Sequence, residues 1–330
     1  LLTAITGAIE SGIIYAIMAL GVYLSFRILD FPDLTVDGSF VTGAAVAATL
    51  IVSGVHPLVA TCLALFVGFI AGCMTGLLHT MGKINSLLSG ILMMIALYSI
   101  NLRIMGRSNV PLLNQETIFT NVQEWGTKIG LEPAVAKTWG ILLSMTLLVL
   151  LFKWFTDWFL QTEIGLAIRA TGDNPRMIRS FSANTNLLIV LGLGLSNAMV
   201  AFSGALIAQY GAFADVGMGI GMIIIGLASV IIGEAIFGTK TIARATFAVI
   251  GGAIIYRIVV SLALRAQFLE TGDVKLITAC IVILALVVPQ MVRHQREKKY
   301  KEEKRRERAQ AFVAAAAERG EGDVAVKRNL

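Results

Sequence analysis

Long apolar runs joined by short polar segments make up most of the chain. Nine such runs lie at about 3–27, 38–54, 57–79, 85–106, 138–160, 186–209, 219–238, 243–264 and 273–292. Each is close to 20 residues long, and at 1.5 Å per residue a helix of that length crosses the roughly 30 Å hydrocarbon core of a bilayer. The runs are continuously apolar rather than alternating, which excludes a transmembrane β-barrel. The pattern predicts an all-α, polytopic membrane protein with about nine transmembrane helices over residues 1–292. A basic tail follows over 293–330, beginning "RHQREKKYKEEK". Its pairs Glu297 with Lys301 and Glu302 with Arg306 have helical i,i+4 spacing, so it reads as a solvated helix that gives way to disorder. Contact with anionic lipid headgroups or with a partner is the alternative for the tail.

Composition agrees with this pattern. Of 330 residues, 56% are hydrophobic and only 15% charged, where a soluble domain carries about a quarter charged. The charge is also unevenly placed. Arg27, Lys83, Lys153, Arg169, Arg176, Arg179, Lys240, Arg244 and the tail fall on one side of the predicted membrane. Arg103, Arg107, Lys128, Lys137, Arg265 and Lys275 fall on the other. The richer side is expected to be cytoplasmic, which puts the N-terminus outside and the C-terminus inside. No basic segment precedes the first apolar run, so no cleavable signal peptide is expected.

Little in the sequence suggests catalysis. Cys62, Cys73 and Cys280 lie in apolar runs without CxxC spacing and read as buried packing thiols. His56, His79 and His294 are isolated, so neither a metal nor a cofactor is expected. There is no Walker A sequence and no Ser/His/Asp set; the chain is not expected to be an enzyme, nor to bind nucleic acid. The "GMGIG" stretch, Gly217 to Gly221, has no strand before it and reads as close helix packing, as do Gly194 with Ala198, Gly204 with Ala208, and Gly251 with Gly252.

Charges inside the runs need partners, because one near the bilayer centre costs at least about 2.5 kcal/mol. Glu10 and Arg257 lie at similar depth in the outer half and are predicted to pair, either as a structural bridge or lining a path. Glu234, near the inner end of its run, is expected to reach the headgroups. Two connections are long. The outer one, 107–137, contains Pro111, Trp125 and Pro133 and is expected to fold over the outer mouth. The inner one, 161–186, contains Asn174 followed by Pro175. Asparagine caps helices and proline suits the first helical position. A short helix from Pro175 to about Ser182 would present Arg176, Met177, Arg179, Ser180 and Phe181.

The stretch "FPDLTVDGSF" places Asp33 and Asp37 between the first two runs, just after Asp30. Pro32 breaks the helix, and Asp33 or Thr35 can cap the next one, where the dipole favours an acid. Asp33, Leu34, Thr35, Asp37, Gly38 and Ser39 therefore form either an ordinary loop or a re-entrant, broken-helix element beside a solute path.

These residues resemble a known family. "DLTVDGS" is similar to the "DLSVGS" signature of ribose-type ABC importer permeases, and follows a similar helix, "AIMALGVYLSFRILDFP". "IGLAIRATGDNP" is similar to the loop that carries their coupling helix. "LASVIIGEAIFG" is similar to a late segment, with Glu234 where a glycine is usual. The resemblance spans about residues 8–290. Asp37 is extra relative to the sugar permeases. The full "FPDLTVDGSF" form is closest to a branch associated with the aromatic amino acids tryptophan and tyrosine.

The resemblance implies a permease subunit in a prokaryotic cell membrane. Two copies would form a pore about a two-fold axis. Two separate ABC ATPase subunits would engage Asn174, Pro175, Arg176, Met177, Arg179, Ser180 and Phe181 on the cytoplasmic face. An extracytoplasmic binding lipoprotein would deliver a small solute near 107–137 and 210–219. The rival readings are an ion-coupled secondary transporter, which needs a midplane acidic or Na⁺ site, and an ABC permease for a sugar or other small solute.

Overall fold

The computed structural model describes residues 2–128, 130, 133–180 and 183–263, together with the single positions 279, 280, 283, 287 and 304. The chain divides into two compact units, Leu1–Val282 and Ile283–Leu330. Every element below belongs to the first.

Helix α1, Leu2–Val22, continues as a π-helical turn, Tyr23–Ile28. After a break come α2, Thr35–Val52, α3, Pro57–Thr80, and α4, Ser86–Met105. Strand β1, Asn109–Pro111, and helix α5, Ile118–Lys128, lead into α6, Pro133–Gln161. Two short helices follow, α7, Glu163–Asp173, and α8, Pro175–Ser180. The described fold is completed by α9, Thr185–Gly211, strand β2, Phe213–Asp215, α10, Met222–Phe237, and α11, Ile242–Ala263.

Seven helices among the described residues are long and apolar enough to cross a membrane. The run expected at 219–238 becomes α10, which is apolar but only 16 residues long. Its first residues are spent on a turn that ends at Gly221, whose φ of +88° is left-handed. The run expected at 273–292, and the tail, lie almost wholly outside the described residues, so eight of the nine expected runs can be compared with helices.

Helices α1, α2 and α9 are the buried centre, while α4 and α6 are the most exposed spans. Helix α9 packs on α3 and α2, α1 packs on α11 and α9, and α10 packs on α11. Small residues permit these approaches. A Cβ added to Gly43 would lie 1.8 Å from the carbonyl oxygen of Ala201, and one on Gly204 would lie 2.0 Å from that of Phe40. Gly252 meets the carbonyl of Ser229 in the same way. This is the close backbone packing that lipid-embedded helices use in place of a hydrophobic drive. The thiols differ from expectation. All three are free, but Cys62 and Cys280 are exposed and only Cys73 is partly buried. Helix α3 turns Cys62 outward on the same surface as Leu58, Val59 and Phe66.

The long connection over 107–137 carries more regular structure than a polar loop. Strand β1 pairs antiparallel with β2, in the register Asn109 to Asp215 and Pro111 to Phe213. Helix α5 is amphipathic, packs on α6, and buries Phe119. Gln209 ties this cap to the bundle: its Oε1 accepts from Ile118 N at 3.1 Å and its Nε2 donates to Thr61 Oγ1 at 2.7 Å.

Candidate functional site

The break between α1 and α2 is buried. The π-helical turn ends with Leu29 N donating to Leu24 O and Phe31 N donating to Ser25 O. Asp30 then takes a positive φ of 51°, and the chain reverses into the protein. The Phe31 ring meets His79 edge-on at 5.2 Å. Asp33 is fully buried. Its Oδ1 accepts from Thr35 N at 2.9 Å and its Oδ2 accepts from Asn197 Nδ2 at 2.6 Å. Helix α2 starts at Thr35, three residues before the expected run, because Asp33 satisfies an N-terminal amide from two positions ahead. Leu34 is the formal cap residue and makes no side-chain cap bond. Burial pushes the Asp33 carboxyl above its ordinary range, against the bonds from Thr35 and Asn197, which pull it down.

The remaining motif residues sit in the first turns of α2 and face other helices. Thr35 Oγ1 lies 2.8 Å from Thr75 Oγ1 on α3. The Gly38 carbonyl accepts from Asn101 Nδ2 on α4 at 3.2 Å. Ser39 Oγ is buried without a hydrogen-bond partner. Asp37 reaches across to α10, where Oδ2 accepts from Gly221 N at 3.0 Å and Oδ1 from Ile223 N at 2.8 Å. It is therefore the N-terminal cap of a helix other than its own. Gly219 comes so close that a Cβ there would lie 2.1 Å from the Asp37 carbonyl oxygen.

Beside this contact is an apolar cavity of about 620 Å³, lined by Leu34, Val41, Met94, Tyr98 and Ile224, with Asp37 and Asn101 also on its wall. Asn101, Asn197 and Thr75, which hold the motif, were not singled out by sequence reasoning. A signal was available for the two asparagines, since an amide inside an apolar run needs a partner.

Helix α8 forms where it was expected, and its described residues are Pro175–Ser180. Asn174 Oδ1 accepts from Met177 N at 3.2 Å, and Ser180 Oγ donates to Met177 O. Ile178 is buried, while Pro175, Arg176, Met177, Arg179 and Ser180 are exposed. Arg179 Nε donates to Thr185 Oγ1 at 2.9 Å. Phe181 lies outside the described residues. Ahead of α8, the segment expected as loop forms α7, capped by Thr162 and buried along Gly165, Ile168 and Thr171.

The expected ion pair between Glu10 and Arg257 does not form. Glu10 Oε2 accepts from Tyr210 OH at 2.8 Å. Arg257 Nε donates to Ser11 Oγ at 3.2 Å, and its guanidinium sits 4.6 Å above the Tyr15 ring. Two tyrosines and a serine thus meet the demands of both charges, an aromatic face being able to receive a guanidinium as a carboxylate would. Glu234 does not simply reach outward either; its Oε1 pairs with Arg27 Nε at 2.9 Å.

Comparison with known proteins places this architecture. Residues 4–288 match the family model described as branched-chain amino acid transport system / permease component. The chain is 41% identical over 285 residues to the tyrosine transport system permease protein of Clostridioides difficile (strain R20291), covering 86% of this chain and 91% of that one. It is 32% identical over 286 residues to an uncharacterized protein of Rickettsia prowazekii (strain Madrid E), covering 84% and 95%. No solved structure matches.

Proposed function

The chain belongs to the family of branched-chain amino acid transport system permease components, and from that premise we propose that two copies of it form the pore of an ATP-driven importer for an aromatic amino acid, with tyrosine first. It is the multi-pass permease component of an ABC-type transport system. In the proposed assembly, two separate ATPase subunits dock on α8 from the cytoplasm. A binding protein delivers the solute to the outer cap built from α5 and the β1–β2 ribbon. The N-terminus lies outside and the C-terminus on the cytoplasmic side.

The observation that carries the reading is α8. It is a six-residue helix between two spans, capped by Asn174 and anchored inward by Ile178, with Arg176 and Met177 left exposed. An exposed basic and partly apolar face on a short capped helix between two spans is a surface that a soluble subunit can grip. Two further features support the solute class. The relative named above transports tyrosine by its printed name. The cavity beside α2 and α10 is walled by apolar side chains and Tyr98, with the Asp37 carboxylate on its wall, a setting that suits an aromatic side chain better than a sugar.

The test is reconstitution of the chain with its ATPase and binding protein in liposomes, followed by uptake of labelled tyrosine. The expected result is uptake that requires internal ATP and persists when ion gradients are collapsed. Arg176→Glu combined with Met177→Ala should abolish permease-stimulated ATP hydrolysis while the protein remains in the membrane. Uptake driven by an ion gradient without the ATPase would reject the reading.

A further inference from the structure

A second cavity, of about 750 Å³, lies between the α3–α4 turn and the α8–α9 connection. Among the described residues its wall carries Lys83, Arg179 and His79, and none of its lining residues is acidic. Two long helices begin at it, α4 with 20 residues and α9 with 27, through their caps Asn85 and Asn184. Each brings the positive end of its dipole, worth roughly half a charge. Arg179 is held by a side-chain bond, whereas Lys83 is exposed and positioned through its backbone. Arg179 is fixed against the start of α9 by its bond to Thr185. Lys83 occupies a left-handed turn, with a φ of 54°, between amides that bond back to Leu77 and Leu78. His79 Nδ1 lies 2.7 Å from the Ile84 carbonyl, which requires the hydrogen on that nitrogen.

From this convergence we propose that the cavity is a binding site for a phosphate-bearing anion, and that the phosphate is that of an anionic phospholipid headgroup. Two cationic side chains and two helix N-termini around one space favour a compact multivalent anion. The level in the fold selects the source. The cavity sits where three membrane helices end or begin, at Thr80, Ser86 and Thr185. Large apolar side chains stand exposed at the same level, Met81, Leu87, Leu88 and Leu187. They offer a surface for acyl chains, whereas free phosphate would leave them uncovered. This site is separate from the apolar cavity beside Asp37 and does not depend on the nature of the solute.

The test uses the full chain purified in a neutral detergent. Its thermal unfolding is titrated separately with phosphatidylglycerol, phosphatidylcholine and inorganic phosphate. Phosphatidylglycerol should stabilise at markedly lower concentration than phosphatidylcholine. Lys83→Gln and Arg179→Gln should each weaken that preference roughly fivefold, the usual worth of one basic residue at an anionic surface. Arg179→Lys should restore most of it, and Arg176→Gln, outside the cavity, should leave it unchanged. Stabilisation by inorganic phosphate at concentrations that displace the lipid would support the phosphate site and overturn the lipid as its source. Equal stabilisation by the two lipids, or a phosphatidylglycerol preference that survives Lys83→Gln with Arg179→Gln, would overturn the proposal. So would variants that lose the ATPase subunit in a pull-down yet keep the lipid preference, since the cavity would then receive a protein carboxylate.

Discussion

At residue 37 a carboxylate leaves its own helix to close the N-terminus of another. Asp37 accepts two backbone amides of the α10 start, Gly221 and Ile223, and so couples the motif on α2 to a helix nearly two hundred residues later. Asp37→Ala strands those donors and should destabilise the protein by about 1–3 kcal/mol. Asp37→Asn keeps one acceptor and should lose less; thermal unfolding in detergent distinguishes the two. Asp33 behaves differently, because its carboxyl is fully buried and its proton is held more tightly in the folded protein than in the unfolded chain. With a raised folded value, its contribution to stability is full below the ordinary aspartate range near pH 3.9 and is lost as pH rises through the folded value. Asp33→Asn removes that dependence. It should therefore gain on the wild type as pH rises from about 4, read by melting temperature against pH. Asn197 Oδ1 is buried without a partner and accepts from the variant's amide if the Asn197 side chain rotates, which gives up the bond from its Nδ2 to Leu193 O.

Among the elements, packing of α2 against α9 sets the tightest constraint. Gly43 touches the backbone of Ala201, not a side chain that could move aside. Gly43→Ala should thus destabilise by roughly 3 kcal/mol, at the upper end of overpacking changes, and lower the yield of membrane-inserted protein. The Arg27 to Glu234 pair joins the π-helical turn to α10, but the arginine side chain is 58% exposed. Screening limits such a pair, so Arg27→Gln should change stability by less than about 1 kcal/mol. Gln209→Leu should act locally. With Ile118 N and Thr61 Oγ1 left without their amide, hydrogen exchange across 109–120 should speed up while the central helices keep their protection. These elements were only partly legible beforehand. Apolar runs showed α1 to α4, α6, α9 and α11 because length and hydropathy are local properties. Helix α7 and the β1–β2 ribbon escaped notice, since α7 buries only a narrow stripe and the ribbon pairs residues about a hundred positions apart.

For the whole molecule, the consequential feature is that short polar elements lie at the edges of an apolar bundle. Helix α8 projects from one connection, and the α5 and β1–β2 cap covers another. The β1–β2 ribbon unites 107–137 with 210–219, the two connections expected near the delivery point. Family membership turns this arrangement into a transport component, and the comparison over residues 4–288 covers nearly all of the apolar chain.

The sequence alone determined the membrane class, most of the spans, the short Pro175 helix and the family, because each is written in consecutive residues: apolar length, a cap followed by proline, a contiguous motif. Tertiary structure decided the partners. Glu10 goes to Tyr210 and Arg257 to Ser11 and Tyr15, although similar depth suggested they would meet. Depth along a helix is readable from position in the chain, whereas the direction a side chain faces depends on how helices rotate and pack against one another. For the same reason the motif's role changed on folding. Asp33 serves α2 itself, while Asp37, four residues on and one helical turn away, serves α10.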